Sequence, residues 1–323
     1  MAVGEARVPL LHEERPAHAH HAPAPEHRRK LSGTAVVVTS LVAGATAGAI
    51  AKTVIAPLDR TKINFQTSQT PYSWRAAVQF LVTSARTEGW LALWRGNSAT
   101  MARIVPYAAI QFTAHEHWKK ILGVDTPHTA GEQPLRLLLA GSLAGVTSQS
   151  ATYPLDLARA RMAVADYRSL KAVFVRIARE EGLRTLYRGY PATVLGVIPY
   201  AGVSFFTYDS LKHWYLEVFG VSPGGLTNVV FGGAAGALGQ TASYPLDIVR
   251  RRMQTGRRRA DGSYPCPSIG PTLLYIYRTD GWRGFFKGLS MNWVKGPIAV
   301  GVSFATYDSI KAFLRDVAST VSV

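Results

Sequence analysis

Pro57-Leu58-Asp59-Arg60-Thr61-Lys62 returns as Pro154-Leu155-Asp156-Leu157-Ala158-Arg159 and again as Pro245-Leu246-Asp247-Ile248-Val249-Arg250, at intervals of 97 and 91 residues. Each copy is followed by a second element. These are Glu88-Gly89 closing on Trp94-Arg95-Gly96, Glu181-Gly182 closing on Tyr187-Arg188-Gly189, and Asp280-Gly281 closing on Phe286-Lys287-Gly288. A two-part pattern met three times is not coincidence. Its period is well beyond the roughly 20–50 residues of common solenoids. It predicts three equivalent modules around an axis, with function located on that axis.

The repeats run over 34–125, 133–220 and 224–316. In each, 13 residues separate a glycine (Gly44, Gly141, Gly232) from the proline, and 20 separate Gly96, Gly189 or Gly288 from Glu116, Asp209 or Asp308. Constant spacing marks rigid helices. From each proline to Gly89, Gly182 or Gly281 the distances are instead 32, 28 and 36. Variable length marks a loop-bearing connection. Within it, Trp74–Arg86 and Leu170–Arg179 have the periodicity of short amphipathic helices lying on a membrane surface.

Charge-free runs set the class: 31–51, 137–155, 189–208 and 218–246 contain no Asp, Glu, Lys or Arg. A membrane-spanning helix needs about 20 mostly apolar residues, and glycine and proline inside such runs suit lipid better than water. Segments 96–115 and 288–307 qualify apart from one cation each. The expectation is an all-α membrane protein with six transmembrane helices, two per repeat. Gly44/Gly48, Gly141/Gly145 and Gly232/Gly236 would let helices approach closely. Charged residues make up only 17% of the chain, yet the net charge is +16. So basic and so poor in charge, it does not read as a nucleic-acid module; an anionic substrate or membrane surface fits better. Cys266 stands alone, so no disulfide forms within the chain. No nucleophile–base pair, metal-ligand cluster or cofactor motif occurs, which argues against an enzyme, a metal site or a bound cofactor. Residues 1–33, rich in Pro, Ala and His, read as a disordered tail. His18, His20 and His21 belong to that tail rather than to a metal site.

A scaffold repeated three times should obey the symmetry, whereas residues that meet a substrate without a threefold axis should break it. Seven residues after Gly96, Gly189 and Gly288 stand Arg103, Gly196 and Lys295; five before each proline stand Lys52, Gln149 and Gln240. Both sets break it. A lone cation inside a membrane helix marks function by default. Lys52, Arg103 and Lys295 together suit phosphate groups, bound by arginine as a fork and by lysine as a compact charge.

The three Pro-x-Asp-x-x-Lys/Arg copies and their Asp/Glu-Gly partners resemble the mitochondrial carrier family over 34–316. Segments 94–101, 103–112 and 290–300 are most similar to its coenzyme A carriers. The resemblance implies a threefold pseudosymmetric bundle in the mitochondrial inner membrane, with short surface helices on the matrix side and both termini toward the intermembrane space. It also implies one central site with alternating access.

The family's matrix gate would be Asp59–Arg159, Asp156–Arg250 and Asp247–Lys62, braced by Gln66 and Gln254 but not by Ala163. A cytoplasmic gate would be Glu116–Lys212, Asp209–Lys311 and Asp308–Lys119, with Tyr208 and Tyr307 as aromatic braces and His115 in the first repeat's place. Gly196, Val197 and Tyr200 resemble an adenine-binding slot. The helix ends after Arg95, Arg188 and Lys287 resemble cardiolipin sites. The implied activity is exchange of coenzyme A and related adenosine 3′,5′-diphosphates for ADP by a functional monomer. Alternatives are another adenine-nucleotide carrier of ADP/ATP or ATP-Mg/phosphate type, a lipid-binding scaffold, or a membrane enzyme.

Overall fold

A computed structural model describes residues 33–125, 133–167, 169–259 and 261–321. The tail 1–33 lies, but for Gly33, outside the described residues. Each repeat contributes a long helix, a short helix, a single 3₁₀ turn and a second long helix. The first repeat holds α1 (Gly33–Thr67), α2 (Trp74–Thr87) and α3 (Asn97–Ile121). The second holds α4 (Pro134–Val164), α5 (Leu170–Glu180) and α6 (Tyr190–Phe219). The third holds α7 (Gly225–Thr255), α8 (Ile269–Asp280) and α9 (Leu289–Val321). The 3₁₀ turns span Trp90–Trp94, Leu183–Tyr187 and Trp282–Phe286. No strand occurs among the described residues.

The long helices close into a ring. Within a repeat α1 meets α3, α4 meets α6 and α7 meets α9. Between repeats α3 packs along α4, α6 along α7 and α9 along α1. The odd-position long helices (first, third and fifth of the six), α1, α4 and α7, also meet one another at their C-terminal ends, and among the described residues no comparable packing joins the even-position ones, α3, α6 and α9. One end of the bundle is therefore closed and the other splayed. Only the segment Leu183–Phe219 is by composition alone an evident membrane span among the described residues. The other long helices carry ring charges and small or polar inward-facing residues that dilute their apolar content. Outward, Phe112, Phe206 and Phe304 are 69%, 73% and 70% exposed. Apolar exposure of this kind is stable against lipid and a liability in water.

The apolar core sits at the closed end in three related clusters. Phe65 and Ala77 pack with Met291; Leu157, Met162, Val173 and Ile177 pack with Ala99; Ile248, Met253, Ile276 and Phe285 pack with Ala192. Each presses a short helix against the end of the long helix before it and the start of the second long helix of the preceding repeat around the ring. Ser73 and Ser169 cap the short helices by accepting the amides of Ala76 and Ala172, which satisfies a donor that has no partner inside the helix. Gly96, Gly189 and Gly288 take φ of +88°, +82° and +78°. A Cβ at Gly96 would stand 2.9 Å from the carbonyl oxygen of Arg159, and one at Gly189 3.0 Å from that of Arg250. Only glycine serves there, because the turn needs left-handed backbone and lies directly on the neighbouring repeat.

Beneath these turns lies a layer of buried ion pairs that sequence reading missed. Arg161 donates to both carboxylate oxygens of Glu181, at 2.5 and 2.8 Å, and to the carbonyl of Gln254 at 3.0 Å. Arg60 does the same with Glu88 and the carbonyl of Ala163, while Arg252 donates to one oxygen of Asp280, whose other oxygen takes Lys287, and to the carbonyl of Gln66. Each arginine thus ties its own repeat's acid to the end of the next repeat's long helix. Two of the three stand seven residues after the proline, a regularity legible in the sequence; Arg60 stands three after it and hides the third. Burial works against the Asp280 carboxylate, yet hydrogen bonds from Lys287 and Arg252 hold its pKa below the usual range.

Removing one partner of a buried pair leaves an uncompensated charge, at a cost of about 3–5 kcal/mol. Arg161→Met is therefore expected to lower the thermal unfolding midpoint of the detergent-solubilised protein sharply, and the double change Arg161→Met/Glu181→Met to recover much of it. An unaltered midpoint in the single variant would show that this layer is not holding the repeats together.

Candidate functional site

The signature prolines lie inside α1, α4 and α7. The acid two residues on and the base three beyond that therefore fall on the helix ends where the three converge. Arg159 pairs with Asp59; Arg250 Nη2 lies 2.5 Å from Asp156 Oδ2, and Lys62 Nζ 3.0 Å from Asp247 Oδ2. The ring of the expected matrix gate is thus closed. Gln254 donates to Asp156 at 2.8 Å and to the Tyr153 hydroxyl at 3.0 Å. Gln66 does likewise with Asp247, at 3.1 Å, and Tyr244, at 3.2 Å. Asp59 has no glutamine, since Ala163 stands at that position, and it receives Lys295 Nζ at 3.0 Å instead. Arg251, which sequence reading passed over, adds a bond to Asp156 at 3.4 Å.

The mid-helix cations reach down to this ring. Arg103 Nη1 lies 3.7 Å from Asp156 Oδ1, its Nε donates to Thr152 at 3.1 Å, and its Nη2 donates to Gln149 at 2.5 Å. Its guanidinium also stacks over Tyr107 at 4.6 Å. Arg103 and Lys295 thus play one part under the pseudosymmetry, each binding the ring acid of the following repeat. Gly196 holds the third equivalent place and offers Asp247 nothing. Lys52 is exposed and within electrostatic range of Lys295, Asp59, Arg159 and Arg103.

The missing cation leaves space. A cavity of about 910 Å³ opens between α4, α6 and α7, walled by Gln149, Gly196, Val197, Tyr200 and Gln240 and reaching Asp247 and Arg250 at its floor. The neutral residues singled out in the sequence therefore surround one volume, while the three cations lie outside its walls. Gln149 joins the two zones: its oxygen accepts Arg103, and its Nε2 is buried without a partner. No cluster of three or more metal-ligating side chains comes together among the described residues.

At the splayed end the expected cross-helix pairs are not brought together. Glu116 takes Lys119 on its own helix at 3.0 Å, and Asp209 faces His213 at 3.5 Å. Among the described residues no ion pair joins Glu116, Asp209 or Asp308 to a lysine of another helix. Tyr208 donates to Asn228 at 3.2 Å, and Lys311 lies over the Tyr307 ring at 5.1 Å. The reason is geometric: α3, α6 and α9 diverge here, so charges that match in sequence remain apart in space.

The sequence pattern of the family described as mitochondrial carrier protein matches residues 33–126, 131–219 and 223–318. The human mitochondrial coenzyme A transporter SLC25A42 is 56% identical over 290 residues, covering 88% of this chain and 90% of its own. The zebrafish (Danio rerio) protein of that name is 53% identical over 285 residues, covering 86% and 88%. The maize (Zea mays) mitochondrial carrier protein CoAc1 is 38% identical over 300 residues, covering 86% and 88%.

A Cβ built on Gly196 meets only Leu246 Cβ, at 3.8 Å, so a side chain fits there. Gly196→Arg should supply the third cation, pair with Asp247 and occupy part of the cavity. The expected outcome is a raised thermal unfolding midpoint. A lowered midpoint would mean that Gly196 is required by packing and that the vacancy is not a binding feature.

Proposed function

The chain belongs to the mitochondrial carrier family, multi-pass transporters of the inner membrane and not enzymes, and on that premise we propose that it exchanges coenzyme A for adenine nucleotides by alternating access. One observation carries the reading: two cations sit on one side of the axis, and a large neutral cavity takes the place of the third. A ligand that fits has a polyanionic part and a flat, uncharged part. Coenzyme A and adenosine 3′,5′-diphosphate have both. The adenine would enter between Gly196, Val197 and Tyr200, where glycine admits a flat ring and tyrosine stacks on it. The phosphates would lie toward Arg103, Lys295 and Lys52. Gln149 and Gln240 offer hydrogen bonds to an amide-rich arm. The names of the relatives support the coenzyme A part of this proposal; ADP as counter-substrate rests on the shared adenine and on the charge count.

The same geometry supplies a coupling. Arg103 and Lys295 hold Asp156 and Asp59 while the closed end is shut. Incoming phosphates compete for those cations and loosen the ring at the moment the site fills. A buried ion pair contributes little net stability, because desolvation offsets its attraction, which suits a gate that must open. On opening, the charges at the splayed end would close the opposite ring, giving the two discrete states that transport requires. Anionic lipid such as cardiolipin at the helix ends after Gly96, Gly189 and Gly288, and a single chain as the functional unit, complete the proposal.

Two experiments test it. Asp156→Asn and Arg250→Gln should each impair exchange in proteoliposomes, and interchanging the two residues should restore part of it; full activity in both single variants would refute the ring as a gate. In the second, vesicles loaded with ADP should take up external coenzyme A and adenosine 3′,5′-diphosphate, but not phosphate, carboxylates or amino acids. Exchange of ADP without any uptake of coenzyme A would point to a different adenine-nucleotide carrier.

A further inference from the structure

The symmetry test that marks the central site applies equally to the loops of the closed face. After the odd-position helix of each repeat, positions twelve to fourteen beyond the proline read Gln69-Thr70-Pro71, Asp166-Tyr167-Arg168 and Arg257-Arg258-Arg259. The third connection is also the longest of the three. A scaffold built three times needs no arginine triplet there, and the other two copies manage without one.

The triplet is exposed and faces a cavity of about 460 Å³ against α5, lined by Arg176, Glu180, Arg257, Arg258 and Arg259 among others. Nearby carboxylates do not offset all of it: Glu180 and Glu181 are engaged elsewhere, and Asp261 lies within electrostatic range of Arg259 without forming an ion pair with it. Both oxygens of Glu180 accept Arg176, at 2.9 and 3.0 Å. Both oxygens of Glu181 are held by buried Arg161. Asp261 accepts the Ser263 amide at 2.8 Å, closing the turn. What the triplet does touch is neutral. Arg257 lies over the Tyr167 ring at 5.8 Å, a ring it shares with Arg176, and Arg258 donates to the Gly262 carbonyl at 3.1 Å. The Arg259 side chain has no ion-pair partner among the described residues.

The loop is also held in place. Tyr264 donates to Glu181 at 3.3 Å, and Arg188 stacks on its ring at 3.4 Å. The Arg259 amide and carbonyl bond to Ser263 and Gly262. Like charges fixed side by side around a cavity repel one another until an anion arrives. Guanidinium forks match tetrahedral oxyanions bidentately.

We propose that Arg176, Arg257, Arg258 and Arg259 form a second anion site on the closed face, which binds phosphate groups outside the translocation path. It shares no lining residue with the central cavity. The phosphate could belong to a soluble compound arriving at this face or to the headgroup of an anionic lipid.

The test compares the full-length protein with an Arg257→Gln/Arg258→Gln/Arg259→Gln variant in neutral detergent, by thermal unfolding. One arm adds pyrophosphate; the other adds phosphatidylglycerol, with phosphatidylcholine as control. The central cavity contributes equally to both proteins, so their difference reads the loop. The parent is expected to show the larger upward shift of midpoint in at least one arm. A difference with pyrophosphate assigns the site to soluble phosphates; a difference with phosphatidylglycerol alone assigns it to lipid. Equal shifts in both arms overturn the proposal. Should the glutamine variant lose its unliganded transition, lysines at the same three positions keep the charge but not the fork, and should respond less than the parent; an undiminished response also overturns it. Neither probe is the transported compound, so this result is independent of whether coenzyme A is exchanged.

Discussion

A carboxylate cannot remain ionised within a membrane-spanning bundle without a partner, and this chain places three, Asp59, Asp156 and Asp247, where three helices converge. Much else follows from satisfying them. Each takes a base from the next repeat around the ring, so the pairs also join the repeats. The glycines at φ near +80° bring the even-position helices against the residues that supply those bases. A second tier, Arg60, Arg161 and Arg252, ties the short helices to the same helix ends. Closure of one end of the bundle is thus a consequence of charge accounting carried out three times.

Symmetry makes the departures informative. Asp156 gathers Arg250, Arg251, Arg103 and Gln254, while Asp59 lacks a glutamine and takes Lys295. Asp247 has Lys62 and Gln66 but no mid-helix cation, and there the bundle opens into a cavity of about 910 Å³. Under the proposed function, gate and binding site are not separate devices stacked along an axis: the cations proposed to meet a ligand's phosphates are the ones that hold two of the three ring acids, so occupancy and gating would draw on the same charges.

Much of the architecture was legible in the sequence because repetition acts as an internal control. Fixed spacings marked helices, variable ones marked loops, and positions that broke the pattern marked the central region. Three things were not legible. Arg60 was hidden because its repeat uses a different helical position to reach an equivalent partner. Tyr107 and Thr152 have repeated counterparts in Tyr200 and Ser243, but only folding sets them against Arg103. Arg103 and Lys295 read as cations awaiting a ligand, and the structure shows both engaged with the ring.

The sequence by itself determined the number of modules, their helical content, the membrane setting and the list of charges that must find partners, since all of these follow from periodicity and the cost of burying charge. Which partners are joined was decided by tertiary structure. Glu116, Lys119, Asp209, Lys212, Asp308 and Lys311 have spacing as regular as the ring at the other end, yet they stay on separate helices because α3, α6 and α9 diverge. Pairing depends on distance across the bundle, and a repeat pattern carries no information about which end of the bundle is shut.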